Sequence, residues 1–224
     1  MRAGNRDFGG PADLPEVVPV FPLAAALLLP RGQLPLNIFE PRYVAMVDAA
    51  MAGARIIGMV QPLPDNGPVG TPPLYRIGCA GRITTYSETG DGRYMITLTG
   101  ISRFEIIEEI AGDQGFRLCR ISAASFTEDF VELAGEKAVD RKALLACFRD
   151  YLEANHLEAD WESISQASNE TLVNALSMMS PFGPAEKQAL LEAPDLRSRA
   201  ETLIAITEVT LARGQQGGPG TPLQ

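Results

Sequence analysis

The chain reads as two different polymers joined near residue 124. Up to that point, short runs of Val, Ile, Leu and aromatic residues alternate with Gly, Pro and an Asp-Gly pair, the punctuation of strands and turns. Beyond it, helix formers and capping residues take over. Strands first and helices afterwards imply an α+β fold with segregated parts rather than a parallel sheet wrapped by helices. The boundaries predicted are a flexible N-terminus over 1–15, a strand-rich part over 16–123, a helical bundle over 124–213 and a disordered tail over 214–224.

Within the first part, Glu16 to Leu23 and Ala26 to Phe39 read as extended segments. Prolines at 19, 22, 30 and 35 confine them to edges, bends or bulges. Pro41 then suits the first position of a helix, which Tyr43, Val44, Met46, Val47 and Met51 stripe with apolar residues and Gly53 ends. A strand from Arg55 to Leu63 and a Pro/Gly-rich loop over 65–73 lead into a run from Leu74, with Ile77, Cys79 and Ile83 on one face. Asp91-Gly92 turns the chain back into Tyr94, Ile96 and Leu98, and extended runs continue through Phe104 to Ile110 and Phe116 to Ile121. About six strands with one inserted helix suggest a strongly bent sheet or partial barrel.

In the second part, a long helix is predicted from about Glu136 to Ala154, with Val139, Leu144, Cys147, Phe148, Tyr151 and Leu152 in one stripe. Ser168 caps the next, which buries Leu172, Val173, Leu176 and Met179 and stops at Ser180-Pro181. Pro184 starts a short helix, and Asp195 caps the last one, running to Gly214.

Charge narrows the function. The net charge is -9, and residues 124–224 carry 16 acidic against 8 basic side chains, whereas residues 1–123 carry 12 against 11. Without a basic stripe to release counterions, nucleic-acid binding is disfavoured. No run reaches the roughly 18 apolar residues of a membrane span, and the first residues lack the apolar core of a secretory signal, so no membrane association and a cytoplasmic location are expected. Cys79, Cys119 and Cys147 form no CxxC pair, which argues for buried thiols and against a metal site. The lone His156 reads as a helix-end residue rather than a catalytic one. Glu108 and Glu109, adjacent on a strand, point to opposite faces and cannot act together on one substrate. Met178 and Met179, with Phe182, read as core before they read as an adaptable contact surface.

Five segments in order resemble the N-terminal substrate-binding domain of the Lon proteases: PVFPL at 19–23, LPLNIFEPRYVAMVDAAMAG at 34–53, IIGMV at 56–60, LYRIGCAGRIT at 74–84 and GRYMITLTGISRFEI at 92–106. SPFGPAEKQALLEAPDLRSRAETLIAITE at 180–208 is similar to the helical half of that domain. The resemblance implies a PUA-like pseudo-barrel followed by a C-terminal helical bundle, and a module that engages unfolded or tagged proteins. The chain holds no GxxxxGK[ST] loop, and its three lysines, Lys137, Lys142 and Lys187, all fall on bundle helices. Neither the ATPase nor the Ser-Lys protease part of a Lon enzyme is therefore expected, and the domain is read as standing alone, without catalytic residues, cofactor or metal. Its expected partners are unfolded or peptide segments of other proteins, with a Lon protease as a candidate recipient. A small-molecule receptor and an RNA-binding PUA-like module are the alternatives.

One motif carries a site expectation. In Phe39-Glu40-Pro41-Arg42-Tyr43, the structural reading puts Phe39 and Tyr43 in the core, Glu40 at the helix start and Arg42 against a carboxylate. The functional reading makes Pro35, Phe39, Glu40, Arg42 and Tyr43 a peptide-binding edge, where backbone pairing and shallow apolar contacts suit a binder of many sequences.

Overall fold

The computed structural model describes residues 1–64, 72–112, 114–155 and 158–216. It begins with a small hairpin, β1 (Arg2–Ala3) and β2 (Arg6–Asp7), turned by Gly4 at φ 58°. Next come β3 (Val17–Pro22) and β4 (Gln33–Ile38), the inserted helix α1 (Pro41–Ala52), then β5 (Ile56–Val60), β6 (Ile77–Glu88), β7 (Tyr94–Ile110) and β8 (Arg117–Ser122). The strand order is β4-β7-β6-β5-β3-β8, and β8 pairs a second time with the far end of β7. That second pairing curls the six-stranded sheet into an incompletely closed barrel, the pseudo-barrel that the resemblance implies. β3 and β5 run parallel, joined by the crossover through α1, while the other ladders are antiparallel.

The barrel bends where extra residues enter its ladders, between Ala80 and Gly81, between Ile83 and Thr85 and between Ile106 and Glu108. These irregularities let β7 serve β4 and β6 along its first half and β8 along its second as one continuous strand. Phe104 on β7 is wholly buried. Its ring fills the space that side chains at Gly58 and Gly78 would take, since a Cβ there would lie 2.8 Å and 2.6 Å from the ring's Cζ.

The helical half holds α2 (Arg141–Ala154), α3 (Trp161–Gln166), α4 (Asn169–Met179), α5 (Pro184–Glu192) and α6 (Leu196–Gln216), with α6 packed on α2, α4 and α5. Leu172, Val173, Leu190 and Leu191 share one apolar core with Leu27, Leu28, Leu29 and Ile57 of the strand half. Polar ties cross the same interface: the Gln61 side-chain amide donates to Gln188 Oε1 at 3.1 Å and to the Pro184 carbonyl at 3.0 Å.

Several expectations are corrected. Residues 1–15, expected to be a flexible lead, pack onto the barrel: Ala3 and Phe8 are buried, and the terminal ammonium donates to the Phe8 and Phe130 carbonyls. Ala26 to Phe39 is not one extended run, because Ala25 and Arg31 turn at φ 60° and 65°. Between those turns, Leu27, Leu28 and Leu29 all enter the core, which the alternation of a strand forbids. The helix expected from Glu136 starts at Arg141, where the Asp140 carboxylate accepts from Ala143 N–H; Glu136–Ala138 form a separate short turn. Helix α3, capped by Asp160, was not expected. Phe39 is 61% exposed and Met179 82% exposed, so neither belongs to the core. Helix α6 continues to Gln216, and most of the Pro/Gly-rich loop over 65–73, His156 and the tail over 217–224 lie outside the described residues.

Candidate functional site

Among the described residues, β4 has a ladder partner on one side only, β7, with Leu34 opposite Leu98 and Asn37 opposite Met95. At its start, Gly100 N–H donates to the Gly32 carbonyl at 2.9 Å. The alternation of an antiparallel ladder then turns the backbone groups of 34, 36 and 38 toward β7 and those of Gln33, Pro35 and Asn37 toward the open edge. Pro35 therefore sits where its missing N–H costs the ladder nothing, the usual place for a proline in a sheet. What remains on the edge is the N–H of Gln33 and of Asn37, and the carbonyls of all three. Pro35 and Asn37 are exposed, exposed Phe39 follows the end of the strand, and exposed Met95 (44%) lies one strand inward on β7, opposite Asn37.

Beyond the strip, α1 begins. Glu40 is its N-cap residue, but the side chain makes no capping bond and accepts instead from Arg42 Nε at 3.0 Å. Both partners are about half exposed, so this pair contributes at most about 1 kcal/mol. The Arg42 guanidinium lies 4.6 Å above the Tyr43 ring, and that ring tilts against Phe21 at 4.3 Å. Burial raises the Tyr43 phenol's pKa against the pull of Arg42, which keeps it neutral. Arg42 and Tyr43 line a cleft of about 240 Å³ together with Pro22, Pro62, Phe116 and Arg117. Arg117 is already tied to Glu109 at 2.7 Å and to the Pro72 carbonyl at 2.8 Å.

The structure thus sets Arg42 and Tyr43 in the lining of this cleft, with Glu40 joined to it only through its bond to Arg42, and places Pro35 on the open strand and Phe39 just past its end. Gln33 and Asn37 on the strip, Met95 one strand inward, and Phe116 and Arg117 in the cleft, were missed. Met95 carried a readable signal, its place in alternation with inward Ile96 and Tyr94.

A larger groove, of about 430 Å³, opens where the start of β4 meets α4. Met178, Met179 and Leu133 supply apolar surface, and Leu133 is 51% exposed. Glu170 braces it, accepting from the Arg31 guanidinium and from Leu133 N–H at 3.1 Å. Arg31 and Leu133 both hold left-handed backbone, φ 65° and 58°, which favours glycine over such side chains.

The remaining reactive groups are committed elsewhere. Burial pushes the Cys79 and Cys147 thiols up and Cys119 to about 11, the opposite of what an attacking thiolate needs. Glu108 and Glu109 each face a different arginine, Arg120 at 2.8 Å and Arg117 at 2.7 Å. Among the described residues no group of three or more His, Cys, Asp and Glu is placed to hold a metal, and no helix is long and apolar enough to cross a membrane.

The profile of the ATP-dependent protease La (LON) substrate-binding domain matches residues 17–208. The Lon protease of Dictyoglomus thermophilum is 27% identical over 211 residues, covering 88% of this chain and 25% of that protein. Lon protease 2 of Myxococcus xanthus is 26% identical, over 87% of this chain and 24% of that protein. The chain spans about a quarter of the length of these relatives. Among solved structures, the Lon N-terminal domain protein from Xanthomonas campestris superposes with a TM-score of 0.60 at 22% identity, covering 84% of this chain and 97% of that one. The N-terminal domain of the Mycobacterium avium complex Lon protease gives 0.61 at 21%, covering 86% and 98%.

Proposed function

The chain belongs to the LON substrate-binding domain family, and from that premise we propose that it recognises other proteins by pairing an extended, unfolded segment of theirs with the open edge of β4. The observation that carries this reading is the edge itself. Gln33 and Asn37 present unpaired backbone donors, and Gln33, Pro35 and Asn37 present acceptors, with exposed Phe39 just past the strand's end and exposed Met95 one strand inward. Main-chain pairing is indifferent to sequence, and shallow apolar contact adds affinity without strict selection, which is the recognition an unfolded client needs. Pro35 leaves one donor missing in the middle of this edge, a gap met once by a client strand and twice when two copies of β4 pair, which disfavours self-pairing more than client pairing.

Under this proposal the chain changes no covalent bond, and a Lon protease is the candidate recipient of what it binds. Three free, buried cysteines suit a reducing compartment, and the cytoplasm is the location proposed. RNA and small-molecule binding have weaker support: Arg42 and Arg117, the cations of the 240 Å³ cleft, are each tied to a carboxylate.

Binding of a reduced, carboxymethylated protein that cannot refold, measured by fluorescence anisotropy, tests the reading. Asn37→Pro removes an outward N–H that β7 does not use, and should weaken binding about tenfold with the fold retained. Phe39→Ser should weaken it through the neighbouring side-chain contact. Undiminished binding in both variants would exclude the β4 edge as the docking strand.

A further inference from the structure

The groove beside α4 and the open edge of β4 are one continuous surface, because Gln33 both begins the edge and lines the groove. We infer that the groove is the anchor pocket for a bulky apolar side chain of the docked segment, and that it selects segments carrying Lys or Arg next to that anchor. This rests on the reading of β4 as the docking strand and adds a substrate class to it.

Three observations support an apolar anchor. Met179 is 82% exposed at the end of α4, and with the half-buried Met178 it forms a wall that can reshape around different side chains. Leu133 adds apolar surface to the same groove and is itself half exposed. Its backbone, like that of Arg31, is held left-handed, and Glu170 fixes both by accepting from the Arg31 guanidinium and Leu133 N–H. A single buried carboxylate on α4 thus ties Arg31 and Leu133, two residues of the groove's lining, in place.

The charge preference follows from what the brace leaves over. Glu170 is neutralised by Arg31, whereas Glu132, exposed and also lining the groove, has no ion-pair partner among the described residues. The helical half around it carries twice as many acidic as basic side chains. A cationic residue flanking the anchor meets this field favourably and an acidic one is repelled, which acts on both encounter and selectivity.

The test uses the full chain and fluorescein-labelled extended peptides of Ser, Thr and Val. One has a central Leu flanked by Lys, one replaces that Leu by Ala, and one replaces the Lys residues by Glu. The wild-type chain should bind the first about tenfold more tightly than either of the others. Met179→Ser, at an exposed position, should shrink the advantage of Leu over Ala, and Glu132→Lys should abolish or reverse the advantage of Lys over Glu. Equal binding of the Leu and Ala peptides to the wild type, or a Lys preference that Glu132→Lys leaves intact, overturns the inference. If the peptides bind without anchor or charge dependence and Asn37→Pro still weakens them, the edge reading stands and the groove falls; if none binds at all, both fall.

Discussion

Arg103 on β7 grips Asp129 through a buried two-point ion pair, Nε to Oδ2 at 2.9 Å and Nη2 to Oδ1 at 2.8 Å, and the Arg103 backbone N–H reaches the same Oδ2 at 2.8 Å. The guanidinium also donates to the Ala193 and Pro194 carbonyls, so one side chain joins the barrel to the link between α5 and α6. Asp129→Ala leaves Arg103 charged and buried without its carboxylate. It should cost about 3–5 kcal/mol in urea denaturation. The double change Arg103→Met with Asp129→Leu removes both charges and should cost distinctly less than the single one. Equal losses would show that the pair acts by packing alone.

Phe104 is wholly buried between strands that carry glycine opposite its ring. Phe104→Ala should therefore cost about 3–5 kcal/mol, and Gly78→Ala about 1–3 kcal/mol by crowding the ring and the Met59 carbonyl from the other side. An unchanged melting temperature in either variant would contradict this packing.

The cysteines give a prediction in pH. With thiolates suppressed by burial, iodoacetamide at pH 8 should label Cys79, Cys119 and Cys147 slowly in the folded chain and rapidly in denaturant, as read by mass spectrometry. The folded Cys119 pKa, about 11, lies above the ordinary 9.0. Below pH 9 both states keep the proton, so the contribution is fully present there. From pH 9 through about 11 the unfolded chain sheds it first, and stability falls as pH rises. A flat profile across that window, with fast native labelling, would place the thiol in solvent.

What could be read from the sequence is what local chemistry decides. Pro41 and Gly53 bound α1 as expected, and Ser168 and Asp195 cap their helices, because a cap is settled within four residues. Leu27 to Leu29 could not be read, since the turns at Ala25 and Arg31 that bring all three inward leave no residue signature when the residue is not glycine. Of the residues expected at the site, Glu40 contacts Arg42 and Arg42 contacts Tyr43, because the three share one helix start. The groove draws on residues near 31–33, 132–133 and 168–179, and no short-range pattern connects positions that far apart. Met179 fits the apolar stripe of α4, yet it is the last residue of the helix, where the stripe has run past the core.

Phe39 separates the two readings of the motif that contains it. Hydrophobicity alone puts a phenylalanine inside, and a core phenylalanine changed to a small residue costs about 3–5 kcal/mol. Here the residue follows Ile38, the last position of the β4 ladder, and 61% of it faces solvent. Phe39→Ser should therefore shift stability by no more than about 0.5 kcal/mol while reducing the binding of an unfolded client. Met179→Ser, with 82% of its residue surface exposed, should behave the same way toward stability. The pairing of the two readouts matters, because an exposed aromatic without a partner would leave both stability and binding untouched. A loss of several kcal/mol in Phe39→Ser would return the side chain to the core and remove the apolar border of the proposed docking edge.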